Sequence, residues 1–247
     1  MMSTRLLSVP FLAAGLFLSS CGGGGEKTST TTDSTVTSTT ETAPAETVAP
    51  STISTTPQPM LIVRHKVADF AKWQMAYDGH DSMRLANGIH NYVIGRGAMD
   101  SSMVLVATKT DDIAKAKTFA TSASLKQAMQ KGGVTGKPSI SYITAVFQDT
   151  AVIPSPLRSM TTFTVKDWTA WEKAFQEGKQ ERIDNGLTVR VYGHDADNDK
   201  KVMLVTAITD TAKASAYWKS DMLKKRREAG GVIGEPERFV FRIVKRY

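Results

Sequence analysis

Gly132-Gly133-Val134-Thr135-Gly136-Lys137-Pro138 returns 98 residues later as Gly230-Gly231-Val232-Ile233-Gly234-Glu235-Pro236. The same offset pairs Val67-Ala68-Asp69-Phe70-Ala71-Lys72-Trp73 with Val165-Lys166-Asp167-Trp168-Thr169-Ala170-Trp171, and Arg84, Asn87 and Gly88 with Arg182, Asn185 and Gly186. Ser122, Leu125 and Lys126 meet Ser220, Leu223 and Lys224 in that register, with Met103–Val106 set against Val202–Val205 through a one-residue indel. Self-similarity over roughly ninety residues marks tandem domains, since solenoid units run to only about 20 to 50.

Each copy carries the same local signals. Met60–Val67 is apolar and β-branched behind Pro57 and Pro59, which suits a strand. Asp69 then caps a helix whose stripe is Phe70, Trp73, Tyr77, Met83 and Leu85, and Asn87-Gly88 supplies a left-handed stop. In the second copy Asp167 is the cap, Trp168, Trp171, Phe175 and Ile183 the stripe, and Asn185-Gly186 the stop. His90–Arg96 and Met103–Lys109 read as a hairpin, as do Thr188–His194 and Lys201–Ile208. A second helical region starts at Asp111 or Asp112, and at Asp210, and ends at the Gly-Gly pair; a last strand follows Pro138 or Pro236. The order strand, helix, strand, strand, helix, strand is ferredoxin-like. Trp73 and Trp171 fall on the apolar stripe and are expected in the core.

The run from Val-x-Asp-x-x-x-Trp through Arg-x-x-Asn-Gly and Ser-x-x-Leu-Lys to Gly-Gly-Val-x-Gly-x-Pro resembles the dimeric α/β-barrel superfamily, particularly small proteins related to antibiotic biosynthesis monooxygenases. The resemblance covers 60–147 and 158–247, joined by a linker over 148–157. It implies an α+β fold in which two ferredoxin-like sheets face each other. In one tandem chain they would close an intramolecular pseudo-dimeric barrel and leave the protein a monomer. The uncovered face of a four-stranded sheet gives the physical reason for that closure. Relatives in the superfamily are cofactor-free or use haem, so haem is the cofactor the resemblance leaves open; none is expected from the residues themselves.

Residues 1–20 have the layout of a secretory signal: Arg5, an apolar run from Leu6 to Leu18, then small residues. Leu18-Ser19-Ser20-Cys21 resembles the bacterial lipobox, which predicts cleavage before Cys21 and lipid attachment to it. The lipidated Cys21 and the Ser/Thr/Pro-rich stretch to residue 59 read as a disordered tether with too little apolar surface to fold. Cys21 is the only cysteine, so the domains contain no disulfide and must rely on their cores. The expected location is the cell envelope, on the outer membrane facing the periplasm or the cell surface, with the inner membrane as the alternative. The partners expected are that membrane and a small molecule, not nucleic acid.

Candidate site residues are few. Gly-Gly-Val-x-Gly-x-Pro is no phosphate loop, because it closes a helix and precedes a strand, the reverse of the order that aims N–H groups at an anion. Arg84 and Arg182 hold one late helical position; each either suits the helix C-terminus electrostatically or reaches for an acidic ligand. His65, His80 and His90 belong to the first copy, where the second has Phe163, Gly178 and Thr188, and His194 faces Arg96. Among them His65 and His90 are the candidate ligand contacts, although their spacing matches no metal site. No residue is assigned to catalysis. The net charge of +7 is spread, with 11 basic against 6 acidic residues in 60–147 and 18 against 13 in 158–247. Lys224-Lys225-Arg226-Arg227 is its one cluster and suits a helix end. Three functions are compatible with this: a lipid-anchored module whose barrel interior or mouth holds a small apolar or aromatic ligand, a monooxygenase-like enzyme, and a structural envelope protein with a filled barrel.

Overall fold

The computed structural model describes residues 51–247; the signal, Cys21 and most of the tether lie outside the described residues. Strand β1 (Ile53–Ser54) precedes two copies of one unit. The first consists of β2 (Gln58–Val67), α1 (Phe70–Gly79), α2 (Asp81–Ala86), β3 (Ile89–Gly97), β4 (Met103–Thr110), α3 (Ile113–Ala120), α4 (Ala123–Lys131) and β5 (Val134–Asp149). The second consists of β6 (Leu157–Val165), α5 (Trp168–Glu177), α6 (Lys179–Asp184), β7 (Leu187–Asp195), β8 (Lys201–Ile208), α7 (Thr211–Trp218), α8 (Asp221–Ala229) and β9 (Val232–Arg246).

The strands run β5-β2-β4-β3-β9-β6-β8-β7, and β7 pairs back onto β5, so the sheet closes into an eight-stranded antiparallel barrel with β1 attached beside β5. Two of its seams, β3–β9 and β5–β7, join one copy to the other. Gly95 and Gly193 hold equivalent places on them: a Cβ at Gly95 would run into the Phe241 ring, and one at Gly193 into the Thr144 carbonyl. Glycine lets the two copies approach there. Closure leaves none of the eight barrel strands with a free edge, which is how barrels avoid edge-to-edge aggregation.

Side-chain alternation divides the core into layers. Met60, Ile62, Leu105, Ala107, Ile143, Met160, Met203 and Phe241 fill the barrel, while Leu61 and Val67 face the helices outside it. Trp73 and Trp171 are each 4% exposed and pack on the outer face of their sheets, as the helical stripe predicted.

Local chemistry repeats with the fold. Asp69 accepts from the Lys72 N–H at 2.7 Å, and Asp167 from Ala170 at 2.8 Å. Asp112 and Asp210 cap α3 and α7, and Ser122 and Ser220 cap α4 and α8. Such a cap contributes about 1 kcal/mol. Gly88, Gly133, Gly186 and Gly231 take φ between 67° and 74° at the helix stops. Asn87 and Asn185 donate to the carbonyls of Met83 and Glu181, both at 2.8 Å.

Four details differ from the sequence reading. Leu61↔Thr108 and Ser159↔Thr206 are equivalent ladder pairs at the common offset, so there is no indel. Each long helix is two: the chain breaks at His80 (φ −100°, ψ 14°) and Gly178 (φ −86°, ψ 14°). That break turns Met83, Leu85 and Ile183 to solvent, at 40%, 50% and 44% exposure. The last strand begins directly after the Gly-Gly pair, and Gly136 and Gly234 at positive φ accommodate a bulge between Arg64↔Ser139 and Lys66↔Thr135, and its counterpart in β9. Finally, strand pairing reaches Asp149 and starts again at Leu157, which confines the connection to residues 150–156. No helix among the described residues is long and apolar enough to cross a membrane.

Candidate functional site

The barrel interior offers little to a small apolar molecule. One end closes on a cavity of about 60 Å³ beside the buried Asp149–Arg190 pair (2.7 Å) and Arg158, whose pKa is lowered to about 10 by burial and by the neighbouring Arg246 and Arg190. The other end opens into a vestibule of about 420 Å³ whose lining mixes Ser139, Ser141, Thr162 and Thr164 with the barrel's Ile62, Ile143, Met160 and Met203, with Arg64 already paired to Glu237 at 2.7 Å. The hydroxyls and charged groups at this mouth need hydrogen-bonding partners, which water supplies and an apolar ligand does not. An apolar ligand expected inside the barrel or at its mouth would meet this mixed lining.

Apolar space lies instead outside the barrel, between each helix layer and its sheet. The first cleft, about 90 Å³, is floored by Leu61, Val63 and Val106 and walled by Trp73, Tyr77 and Phe119. The second, about 100 Å³, lies among Trp171, Phe175, Leu204, Tyr217, Trp218 and Leu223. The helix breaks at His80 and Gly178 position the next feature: α2 and α6 turn back so that Arg84 lies over the Tyr77 ring and Arg182 over the Phe175 ring, each at 3.7 Å.

The two arginines then diverge. Arg84, 6% exposed, donates from Nε to Asn91 Oδ1 at 3.0 Å and from Nη2 to Asp81 Oδ1 at 3.2 Å. Asn91 Oδ1 also accepts from the Tyr77 hydroxyl at 2.6 Å, and its Nδ2 donates to Asp81 at 2.5 Å. Burial pushes the Tyr77 hydroxyl pKa well above its ordinary value. Arg84 is thus held in a closed network.

Arg182, 8% exposed, has Val189 and Lys179 where Asn91 and Asp81 stand in the first copy. Its Nη1 donates to the Phe175 carbonyl at 2.7 Å, but its buried Nε has no partner. Glu181 is taken up by the Tyr217 hydroxyl (2.7 Å) and Arg226 Nε (3.0 Å). Burial lowers the Arg182 pKa to about 10, so it remains charged at neutral pH. A buried donor left unsatisfied costs about 1–3 kcal/mol. Arg238, lying 4.2 Å over the Trp218 ring, repeats the pattern: its Nε is buried without a partner, and burial, with Arg227 next, lowers its pKa to about 10.

Of the histidines, His65 lines the first cleft, 6% exposed and 5.5 Å from the Trp73 ring, with neither ring nitrogen hydrogen-bonded. Burial lowers its pKa to about 4, so it is neutral at physiological pH. His90 is no cleft residue: it sits on the exposed face of β3 and pairs with Asp111 at 3.0 Å. The structure brings His65 and Arg84 together in one cleft and places Arg182 in the other. Arg238 was missed by the sequence reading, although it stands where the first copy has Ile140. No group of three or more His, Cys, Asp or Glu that would hold a metal occurs among the described residues.

No family model and no curated protein matches the chain. Among solved structures it is similar to an anthrone oxidase-like protein, with a TM-score of 0.53 and 11% identity over 76% of this chain and 92% of that one. It is similar also to a candidate monooxygenase from Fusobacterium nucleatum subsp. nucleatum, with a TM-score of 0.51 and 12% identity over 76% and 93%. A haem-binding protein from Thermus thermophilus gives 0.50 and 12% over 80% and 95%. At such identities the likeness is one of fold. It is the fold that the repeat implied: two ferredoxin-like units in tandem making one α/β barrel.

Proposed function

We propose that the chain is a lipid-anchored, extracytoplasmic binding module that takes small apolar or aromatic molecules into its helix–sheet clefts. The observation that carries this reading is the placement of aromatic-lined space: the barrel keeps a cavity of about 60 Å³ and a mixed, solvated mouth, while volume walled by tryptophan, tyrosine and phenylalanine lies beneath the helices in both copies. A purely structural role does not account for a buried His65 with neither ring nitrogen hydrogen-bonded, or for an Arg182 whose buried Nε has no partner, each on the lining of a cleft. The internal barrel supplies the face that a single-copy relative would cover by dimerising, so a monomer is the expected state. Anchoring rests on Leu18-Ser19-Ser20-Cys21; Cys21→Ser should move the protein from the detergent phase to the aqueous phase in partitioning, and an unchanged distribution sinks the anchor.

A monooxygenase-like activity is the second reading. It is supported by the fold neighbours and by His65, a neutral imidazole with both nitrogens free in an apolar cleft. Haem, which one fold neighbour binds, does not fit these clefts. The first holds about 90 Å³, whereas sites for drug-sized ligands run to roughly 300–1,000 Å³. The second has Phe163 in place of His65 and so lacks the imidazole.

Filling the clefts tests the main reading. Ala76 and Ala174 are equivalent lining residues, and leucine at either would occupy the space a small ring needs. Titration of the full chain with benzyl alcohol, followed by tryptophan fluorescence, should saturate in the wild type and fail in Ala76→Leu/Ala174→Leu with the fold retained by circular dichroism. Undiminished binding in the double variant would place the ligand elsewhere.

A further inference from the structure

We infer that the second cleft is a recognition site for a small organic acid, with an apolar ring or short chain against Trp171, Phe175 and Trp218 and a carboxylate facing Arg182 and Arg238. The inference rests on the cleft-binding reading and adds the chemical class of ligand. Its first ground is the unused hydrogen-bonding capacity. Two guanidinium Nε atoms are buried in one cleft without partners, and no carboxylate among the described residues forms a salt bridge with either side chain. Each guanidinium carbon lies over an aromatic ring, and with Arg182 Nη1 given to the Phe175 carbonyl the Nε of each side chain is left for a carboxylate, the group whose geometry suits a guanidinium.

The second ground is the first copy, which serves as an internal control. At the common offset, Arg226, Arg227 and Arg238 stand where the first copy has Ala128, Met129 and Ile140. All six line their clefts except Ile140, which packs into the adjoining core cluster. Folding this unit therefore needs none of the three arginines, because the first copy reaches the same fold with apolar residues there. Glu181 offsets one of the positive charges through Arg226, and the remainder stands over an aromatic floor. Apolar walls with convergent cations describe an amphipathic anion: too little polar surface for free phosphate, too much buried charge for a neutral hydrocarbon.

Calorimetric titration of the full chain with benzoate, its neutral isostere benzamide, and acetate separates the alternatives. Benzoate should bind about tenfold or more tighter than either, the difference expected when a charge-assisted hydrogen bond or the ring is lost. Arg238→Ile and Arg227→Met, each installing the first copy's residue, should each reduce benzoate affinity severalfold and leave benzamide unchanged. The second variant lies at the half-exposed rim and guards against a folding defect in the first. Equal affinity for benzoate and benzamide would overturn acid recognition while leaving the cleft a ligand site. Equal affinity for benzoate and acetate would reduce it to simple anion attraction and overturn the amphipathic class. If none of the three binds, the inference falls together with the reading beneath it.

Discussion

The two clefts are framed by the same parts: a capping aspartate, a buried tryptophan, a helix break, and an arginine lying over an aromatic ring. Inside that frame they have opposite chemistry. The first holds a neutral imidazole and an arginine locked into a network with Asn91 and Asp81; the second holds Phe163, an arginine with a free donor, and three further arginines around the opening. The residues kept at the common offset are those the backbone needs, such as caps, left-handed glycines and seam glycines. Among the residues that changed, His65 and Phe163, Ala128 and Arg226, and Met129 and Arg227 line the space between helices and sheet. The tryptophans and the two arginines over aromatic rings are kept as well, so one copy can be used to test the other.

The largest contrast is His65 against Phe163, since both pack on the equivalent tryptophan at 5.5 Å. His65 has a folded pKa of about 4, below its ordinary 6.5. Between those values the unfolded chain takes a proton that the folded chain refuses, so stability falls as pH drops from about 6.5 towards 4. It is unaffected by this group above 6.5. The loss should reach about 2 kcal/mol at pH 5 and about 3 kcal/mol below pH 4. His65→Phe, the second copy's own solution, should remove that component. Melting temperatures at neutral and mildly acidic pH provide the check: the gap between them should narrow in the variant, and an unchanged gap would mean that His65 is not buried neutral.

What could be read from the sequence followed the range of the interactions involved. Caps, glycine stops and the strand–helix order are set by neighbours in the chain and were plain in both copies. Helix breaks at His80 and Gly178 were hidden because an exposed Met83 or Ile183 continues the apolar period without touching the sheet. The false indel arose from matching apolar letters in β4 and β8 without the ladder register that fixes them. In the site, His65 and Arg182 were found by comparing the copies, whereas His90 differs between copies but points to solvent. Arg238 carried the same kind of signal, an arginine replacing Ile140, yet a single charge on a strand shows no direction until the barrel assigns its face. The cluster at Arg226 and Arg227 was visible as charge, and its helix-end reading missed that both side chains rim a cleft.

The smallest expected effect is also the sharpest test of why the arginines differ. Asn91 and Val189 are equivalent, and each lies beside the bulge of its strand. In the first copy Asn91 Oδ1 serves both Arg84 Nε and the Tyr77 hydroxyl. Asn91→Val strips both donors, one of them charged, and should destabilise by about 1.5–3 kcal/mol. The reverse change, Val189→Asn, gives Arg182 Nε an acceptor, a gain of about 0.5–1.5 kcal/mol. Hydration lost from burying an amide in place of a half-buried valine offsets most of that gain, so the net change in melting temperature should be near zero. Benzoate affinity is the discriminating readout, because an Arg182 tied to the introduced amide no longer offers its free edge. A severalfold weakening with unchanged stability fits an arginine kept unpaired for a ligand. If Val189→Asn instead stabilises strongly and benzoate binds as before, the missing partner is a packing accident, and the two clefts differ in charge without differing in purpose.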